Sequence, residues 1–295
     1  MAAAAAPTLR PDRRLRRRKI VNRLMEGLAL VAALGAVAIL AIVILSVLRR
    51  GISGLNADFF THVQAPFGAT GSGIANALVG SLILVVIATL IAVPLGILSA
   101  IYVSEFANAW AAGAVRLALD VLNGLPSIVL GIFVYSLIVL RYGQSGLAGS
   151  FALSIVMLPL VARSTQEVLA LVPSSLREAS YAVGATRWRS IIGVVLPTAV
   201  GGILTGTTLA IARAAGETAP LLFTSSLVAN QVTWDPRQPL QSIPLSIFQL
   251  SESPDPADHA RAWAAAFVLI MFVLVTSLTA RLVLIRYRRK LGHER

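Results

Sequence analysis

Leu28-Ala-Leu-Val-Ala-Ala-Leu-Gly-Ala-Val-Ala-Ile-Leu-Ala-Ile-Val-Ile-Leu-Ser-Val-Leu48 runs without a single charge. A helix of that length reaches about 30 Å, the thickness of a bilayer's hydrocarbon core. Phe267 to Thr279 is equally free of charge. Working outward from these two stretches, the whole chain is 57% hydrophobic and 13% charged, whereas a soluble domain carries about a quarter of its residues charged. The surface must therefore face lipid. Six segments are long and apolar enough to cross, near 27–48, 76–103, 116–140, 147–170, 197–220 and 262–285, although Pro94, Gly96 and Pro126 interrupt two of them. The expected fold class is an all-α integral membrane protein with six transmembrane helices.

A formal charge of +12 raises the question of nucleic acid, and its distribution answers it. Arg10, Arg13, Arg14, Arg16, Arg17, Arg18, Lys19 and Arg23 precede the first apolar run, and Arg286, Arg288, Arg289, Lys290 and Arg295 follow the last. Basic clusters abutting apolar runs mark cytoplasmic flanks, so both termini are expected in the cytoplasm and no nucleic acid is expected as partner. The connecting segments agree. Pro173 to Leu196 holds Arg177, Arg187 and Arg189 against Glu178 and belongs inside; Gln231 to Ala260 holds Arg237 against Asp235, Glu252, Asp255 and Asp258 and belongs outside. Arg49 and Arg50 run against the rule and would have to snorkel to headgroups. The first run continues past the small triplet Ala36-Val37-Ala38, which favours an uncleaved span over a secretory signal. The expected organisation is a basic tail at 1–26, a first span with outer loop at 27–75, a core at 76–285 containing a cytoplasmic loop at 173–197, and a basic tail at 286–295.

That loop, Leu176-Arg-Glu-Ala-Ser-Tyr-Ala-Val-Gly-Ala-Thr-Arg-Trp-Arg-Ser-Ile-Ile-Gly-Val-Val-Leu-Pro197, reads as helix, turn, helix. Ser175 and Glu178 have capping-box spacing behind Pro173, and Gly184 can close the first helix in a left-handed conformation. Ala179, Ser180 and Ala182 would let a partner's groove approach closely. Glu178-Ala179, Gly184 and Val194-Val195-Leu196-Pro197 resemble the EAA loop of binding-protein-dependent ABC importer permeases, with Ser180 in place of the third Ala and Val194 in place of Ile. The resemblance implies type I importer permease architecture, and ATPase coupling by Glu178, Ala179, Gly184, Leu196 and Pro197. The chain holds no Gly-x-x-x-x-Gly-Lys-[Ser/Thr] loop, and its only lysines, Lys19 and Lys290, follow no glycine. ATP and Mg are therefore expected on a partner ATPase chain, with no cofactor in this one.

In the fifth apolar segment Gly202, Gly206, Ala210 and Ala214 fall four apart, a face that admits close backbone approach. Arg213 and Glu217 lie one turn apart on the adjacent stripe. A charge at the bilayer centre costs at least about 2.5 kcal/mol, so these residues need a protein or wet environment. They read either as a structural ion pair or as an oxyanion station. In the second reading Arg213 offers a planar fork of donors while Glu217 holds the fork and accepts a hydroxyl from phosphate that sulfate does not carry.

Ala212-Arg-Ala-Ala-Gly-Glu-Thr-Ala-Pro-Leu-Leu222 is similar to the matching span of PstA-type permeases of phosphate-specific importers. So are Pro94 to Phe106, Gly124 to Val129 and Leu176 to Gly184. That resemblance implies phosphate as cargo and Arg213 and Glu217 as pathway residues, with Arg163 either a further pathway residue or an interface anchor. It also implies a PstC-type second permease, a PstB-type ATPase dimer, a PstS-type extracytoplasmic phosphate-binding protein, and the plasma membrane of a prokaryote. Sulfate, molybdate or an amino acid are the competing cargoes. A secondary transporter would need no docking loop. An enzyme is not expected: His62, His259 and His293 lie in loops or the tail, cysteine is absent, and no carboxylate pair has catalytic spacing.

Overall fold

The computed structural model describes residues 13–64, 73–226 and 231–292. Arg10 and residues 293–295 of the expected tails lie outside them. The chain divides into two compact units, residues 1–49 and 50–295.

The first unit is described by α1 (Arg13–Ile52), which runs through the expected basic flank and the first apolar run as one helix. Every residue from Val21 to Leu45 is exposed in the isolated chain, the surface a lipid-facing helix requires.

In the second unit α2 (Ala57–Thr61) is capped by the Asn56 side chain. The long α3 (Ala75–Ile101) follows, extended by a π-turn at Tyr102–Phe106. Next come α4 (Ala109–Gly124), α5 (Ser127–Val134), a π-turn (Tyr135–Val139) and the short α6 (Leu140–Tyr142). Then α7 (Gly146–Ala170) leads into the loop helices α8 (Ser174–Ala182) and α9 (Arg187–Ser190). A π-turn (Ile191–Val195) joins α9 to α10 (Leu196–Ala215), followed by α11 (Ala219–Thr224), α12 (Ile243–Glu252) and α13 (Pro256–Gly292).

Among the described residues five helices are long and apolar enough to cross a bilayer, and a sixth crossing is reached only if one sharply bent helix pair counts as a single span. The segment expected to span 116–140 is two helices meeting at 100°, α4 and the α5–α6 run. Pro126 supplies no donor and its ring clashes with the preceding turn, so α4 stops at Gly124 with Leu125 extended. The helix through Pro197 behaves differently. Arg187–Ala215 stays continuous, and it absorbs the missing donor by widening into the π-turn just before the proline.

A mixed apolar core and a set of glycine contacts hold the crossings together. Leu84, Ala88 and Ala92 of α3, Leu153, Met157 and Val161 of α7, and Ala210 and Ala214 of α10 form the central core. Gly96 lies against Val161, and Gly202 and Gly206 lie against Val168 and Ser164. The small stripe is therefore the α7-facing side of α10. In a membrane, where apolar burial gives helices no net drive to associate, such backbone contact is what brings them together. Gly206→Leu drives a side chain into Ser164 and is expected to cost about 1–3 kcal/mol or more of overpacking. The thermal midpoint of the detergent-solubilised chain should fall by several degrees, while Gly113→Leu, where nothing lies within 4 Å, should leave it in place.

Part of the connector expected as an acidic outer loop is packed into the bundle end away from α8 and α9. Leu240, Gln241 and Ser242 are buried. On either side of Gln241 and Ser242 the backbone is held by side chains: Ser81 Oγ accepts from the Ile243 amide at 2.8 Å, and Ser225 Oγ accepts from the Leu240 amide and donates to its carbonyl. Non-helical backbone at membrane depth requires such partners. Arg50, one of the two arginines that contradicted the charge rule, lies over the Trp263 ring at 5.0 Å, a cation–π contact suited to an interfacial position.

Candidate functional site

Arg213 stands in the last turn of α10, and Glu217 lies just beyond the helix end at Gly216. The charges do not share one uninterrupted span as the sequence implied. Arg213 Nε donates to Glu217 Oε1 at 3.5 Å, the limit of a hydrogen bond. The side chains are 51% and 16% exposed. Among the described residues the two terminal nitrogens of Arg213 have no hydrogen-bond acceptor, so most of the fork is open. With Ala210 and Ala214 turned into the core, Thr198, Thr205, Leu209, Arg213 and Gly216 form one exposed stripe of α10. This stripe carries a cation on otherwise apolar and small surface, with a carboxylate beside it.

Arg163, in α7, pairs with Asp120 of α4 at 3.0 Å, both half-exposed. Asp120 was not singled out from the sequence, although an acid within an apolar segment is the signal that should have marked it. The structure does not bring Arg163 and Arg213 together. Gly206 meets Ser164, and Arg213 is seven residues farther along α10, roughly 10 Å by helix rise. They are two separate arginine–carboxylate pairs.

The loop at 173–197 is a helix, a turn and a helix. Pro173, with φ −58°, is the N-cap of α8 and there is no side-chain cap hydrogen bond. The Ser175–Glu178 box therefore does not form, because the helix starts behind Pro173, two residues earlier than that box requires. Gly184 has φ +82° and turns the chain between α8 and α9, as only glycine does without strain. Glu178, Ala179, Tyr181, Ala182 and Gly184 are exposed, while Ser180 is buried and hydrogen-bonds Ser190. The outward small surface is thus Ala179 and Ala182, with Ser180 tying the two loop helices together. Leu196 and Pro197 are half-buried at the start of α10. Among the described residues no cluster of three metal-ligating side chains occurs.

Residues 92–289 match the family of binding-protein-dependent transport system inner membrane components. The chain is also 40% identical over 281 residues to the phosphate transport system permease protein PstA of Yersinia pestis, covering 94% of this chain and 95% of that one. The chain belongs to this family, in its PstA branch. The PstA of Xylella fastidiosa strain 9a5c is 41% identical over 276 residues, with 92% and 95% covered. In fold the chain is similar to a chain of a bacterial alginate ABC transporter solved with an alginate-pentasaccharide-bound periplasmic protein. That match has a TM-score of 0.63 at 16% identity and covers 90% of this chain and 96% of that one. A chain of the MetNI methionine ABC transporter matches at 0.57 and 18% identity, covering 72% and 93%. Both likenesses support the type I permease architecture. Family members are transport-system components of the inner membrane, so the loop and the two arginine–carboxylate pairs sit in a multi-spanning membrane component.

Proposed function

We propose that this chain is the permease subunit of an ATP-driven importer of inorganic phosphate. The observation that carries the cargo is the identity to PstA permeases across nearly the whole chain. On this reading both termini and the loop at 173–197 are cytoplasmic in the plasma membrane of a prokaryote, with the acidic connector outside. The permease core occupies 76–285 between the two basic tails and the first span. A PstB-type ATPase dimer binds ATP and Mg and docks on Glu178, Ala179 and Gly184. A PstC-type permease and a PstS-type phosphate-binding protein complete the assembly. ATP binding draws the docked loops together and opens the spans outward; hydrolysis resets them. The 100° break at Pro126 and the π-turn before Pro197 supply places where spans can bend.

Arg213 is the oxyanion donor and Glu217 its positioning carboxylate. The open fork, the exposed stripe of α10 and the neighbouring acid support this assignment. Arg163, already paired with Asp120, is a second station on the same route. The test is ATP-dependent uptake of labelled phosphate into vesicles holding this chain with its partners, with sulfate as competitor. Phosphate uptake that ignores sulfate supports the reading. Sulfate, molybdate or amino acid uptake in its place by an ATP-hydrolysing complex overturns the cargo.

Glu217→Gln probes the discrimination. Phosphate at neutral pH keeps a hydroxyl that can donate to a carboxylate, whereas sulfate offers only acceptors and meets repulsion. In the variant sulfate is expected to become a competitor of phosphate uptake. If sulfate stays without effect, Glu217 has no part in selection.

A further inference from the structure

We propose that the α8-side end of α3 is an output lever of the coupling loop, held to both loop helices through Glu105 and Phe106, so that α3 and the loop move as one body. This rests on the coupling-loop reading above and assigns residues that reading did not use.

The chain itself joins the loop to α7, through Pro173, and to α10, through the continuous helix from Arg187. α3 has no such connection, since Glu105 and Arg177 are 72 residues apart. Yet Arg177 Nε and one terminal nitrogen donate to Glu105 Oε1 at 3.3 and 3.0 Å. The other contacts of the same guanidinium are the Val172 carbonyl at 2.7 Å and the Leu169 carbonyl at 2.9 Å. One side chain thereby joins the end of α3, the end of α7 and the start of α8. The Glu105 side chain is only 8% exposed. Separating α3 from α8 would leave a buried carboxylate without its cation, the arrangement proteins tolerate least.

The next residue makes the second attachment. Phe106 meets Trp188 of α9 with ring centroids 6.2 Å apart, and Arg187 lies over the Phe106 ring at 5.4 Å. Beneath these contacts Ala100 and Ile101 of α3 share a buried cluster with Leu169, Val172, Ile191 and Val195. Consecutive residues of the π-turn that extends α3 thus grip α8 and α9 separately. A displacement of the loop reaches α3 directly, and α3 carries it along α7 through contacts such as Gly96 on Val161. Glu105 and Arg177 are positioning residues: they touch no cargo and act on transport by keeping the two parts in step.

The experiment measures ATP hydrolysis and phosphate uptake in the same vesicles, with the complete complex. Arg177→Met/Glu105→Leu removes both charges together and avoids a lone buried ion. The expected result is an assembled complex whose uptake per ATP hydrolysed falls at least about fivefold, the lower range of inter-site coupling. Trp188→Leu, at an exposed position, should lower the same ratio to a smaller extent, and it decides the matter if the double variant fails to assemble. A wild-type ratio overturns the lever. So does loss of the copurifying ATPase in Trp188→Leu, which would assign Trp188 to the docking surface instead. Ala179→Glu, on the outward face of α8, separates this from the underlying reading. If neither copurification nor hydrolysis responds to it, the docking loop itself is misassigned. If they respond and the ratio of the double variant is unchanged, only the lever fails.

Discussion

Arg213→Gln is expected to reduce ATP-dependent phosphate uptake by about a hundredfold while the complex still assembles and hydrolyses ATP. The magnitude follows from two donors lost to a charged acceptor at about 1.5 kcal/mol each, with a factor of ten for every 1.4 kcal/mol. Assembly should survive because Arg213 is not a packing residue. It stands on the exposed stripe of α10, and the small face of that helix, Gly202, Gly206, Ala210 and Ala214, is what meets α7 and the core. Among the described residues its one partner, Glu217, holds it at 3.5 Å through a single nitrogen, too weak a pair to be a strut. Arg213→Lys should recover only part of the rate, because an ammonium keeps the charge and loses the planar fork. Labelled-phosphate uptake in vesicles measures both. Uptake unaffected by Arg213→Gln would return the residue to a structural role.

Gly184→Val is expected to abolish uptake by a different route, with loss of the ATPase subunit from the purified complex. At φ +82° a non-glycine residue costs about 1–2 kcal/mol, and a β-branched one is an outlier there. The turn orders α8 against α9, and the Ser180–Ser190 hydrogen bond spans it. Once the turn relaxes, Glu178, Ala179 and Ala182 no longer present one surface. Copurification and stimulated ATP hydrolysis report the loss. Gly193→Val, within the same stretch and with open space around it, tests whether any valine would do the same. A Gly184→Val complex that keeps its ATPase and its uptake would show that the turn's geometry is not what the partner reads.

Much of this protein is legible without coordinates. The apolar runs, the helical nature of the crossings and the helix–turn–helix of the loop follow from residue types and spacing. Gly202, Gly206, Ala210 and Ala214 announce a close-packed face because their separation of four depends only on helix geometry. The places where reading the chain falls short share a cause. Pro126 and Pro197 are the same residue in similar surroundings, yet one breaks a span by 100° and the other sits in a continuous helix beside a π-turn. Which happens depends on whether neighbouring helices hold the segment. Polar and charged character placed the connector at 231–260 in an outer loop, and it could not reveal that Gln241 and Ser242 are buried, with Leu240 and Ile243 on either side bonded to Ser225 and Ser81.

Solvent, element type, the position of the loop turn and the family follow from the sequence, because each depends on local chemistry: hydration of side chains, helix spacing, the freedom of a single glycine. Tertiary structure decided the pairings. Glu105 finds Arg177 and Asp120 finds Arg163 only after α3, α4, α7 and α8 have been brought side by side. The near neighbours Arg213 and Glu217 remain loosely joined because the helix ends between them. An ion pair is set by distance in space, and distance in space between residues far apart along the chain is a property of the packed bundle alone.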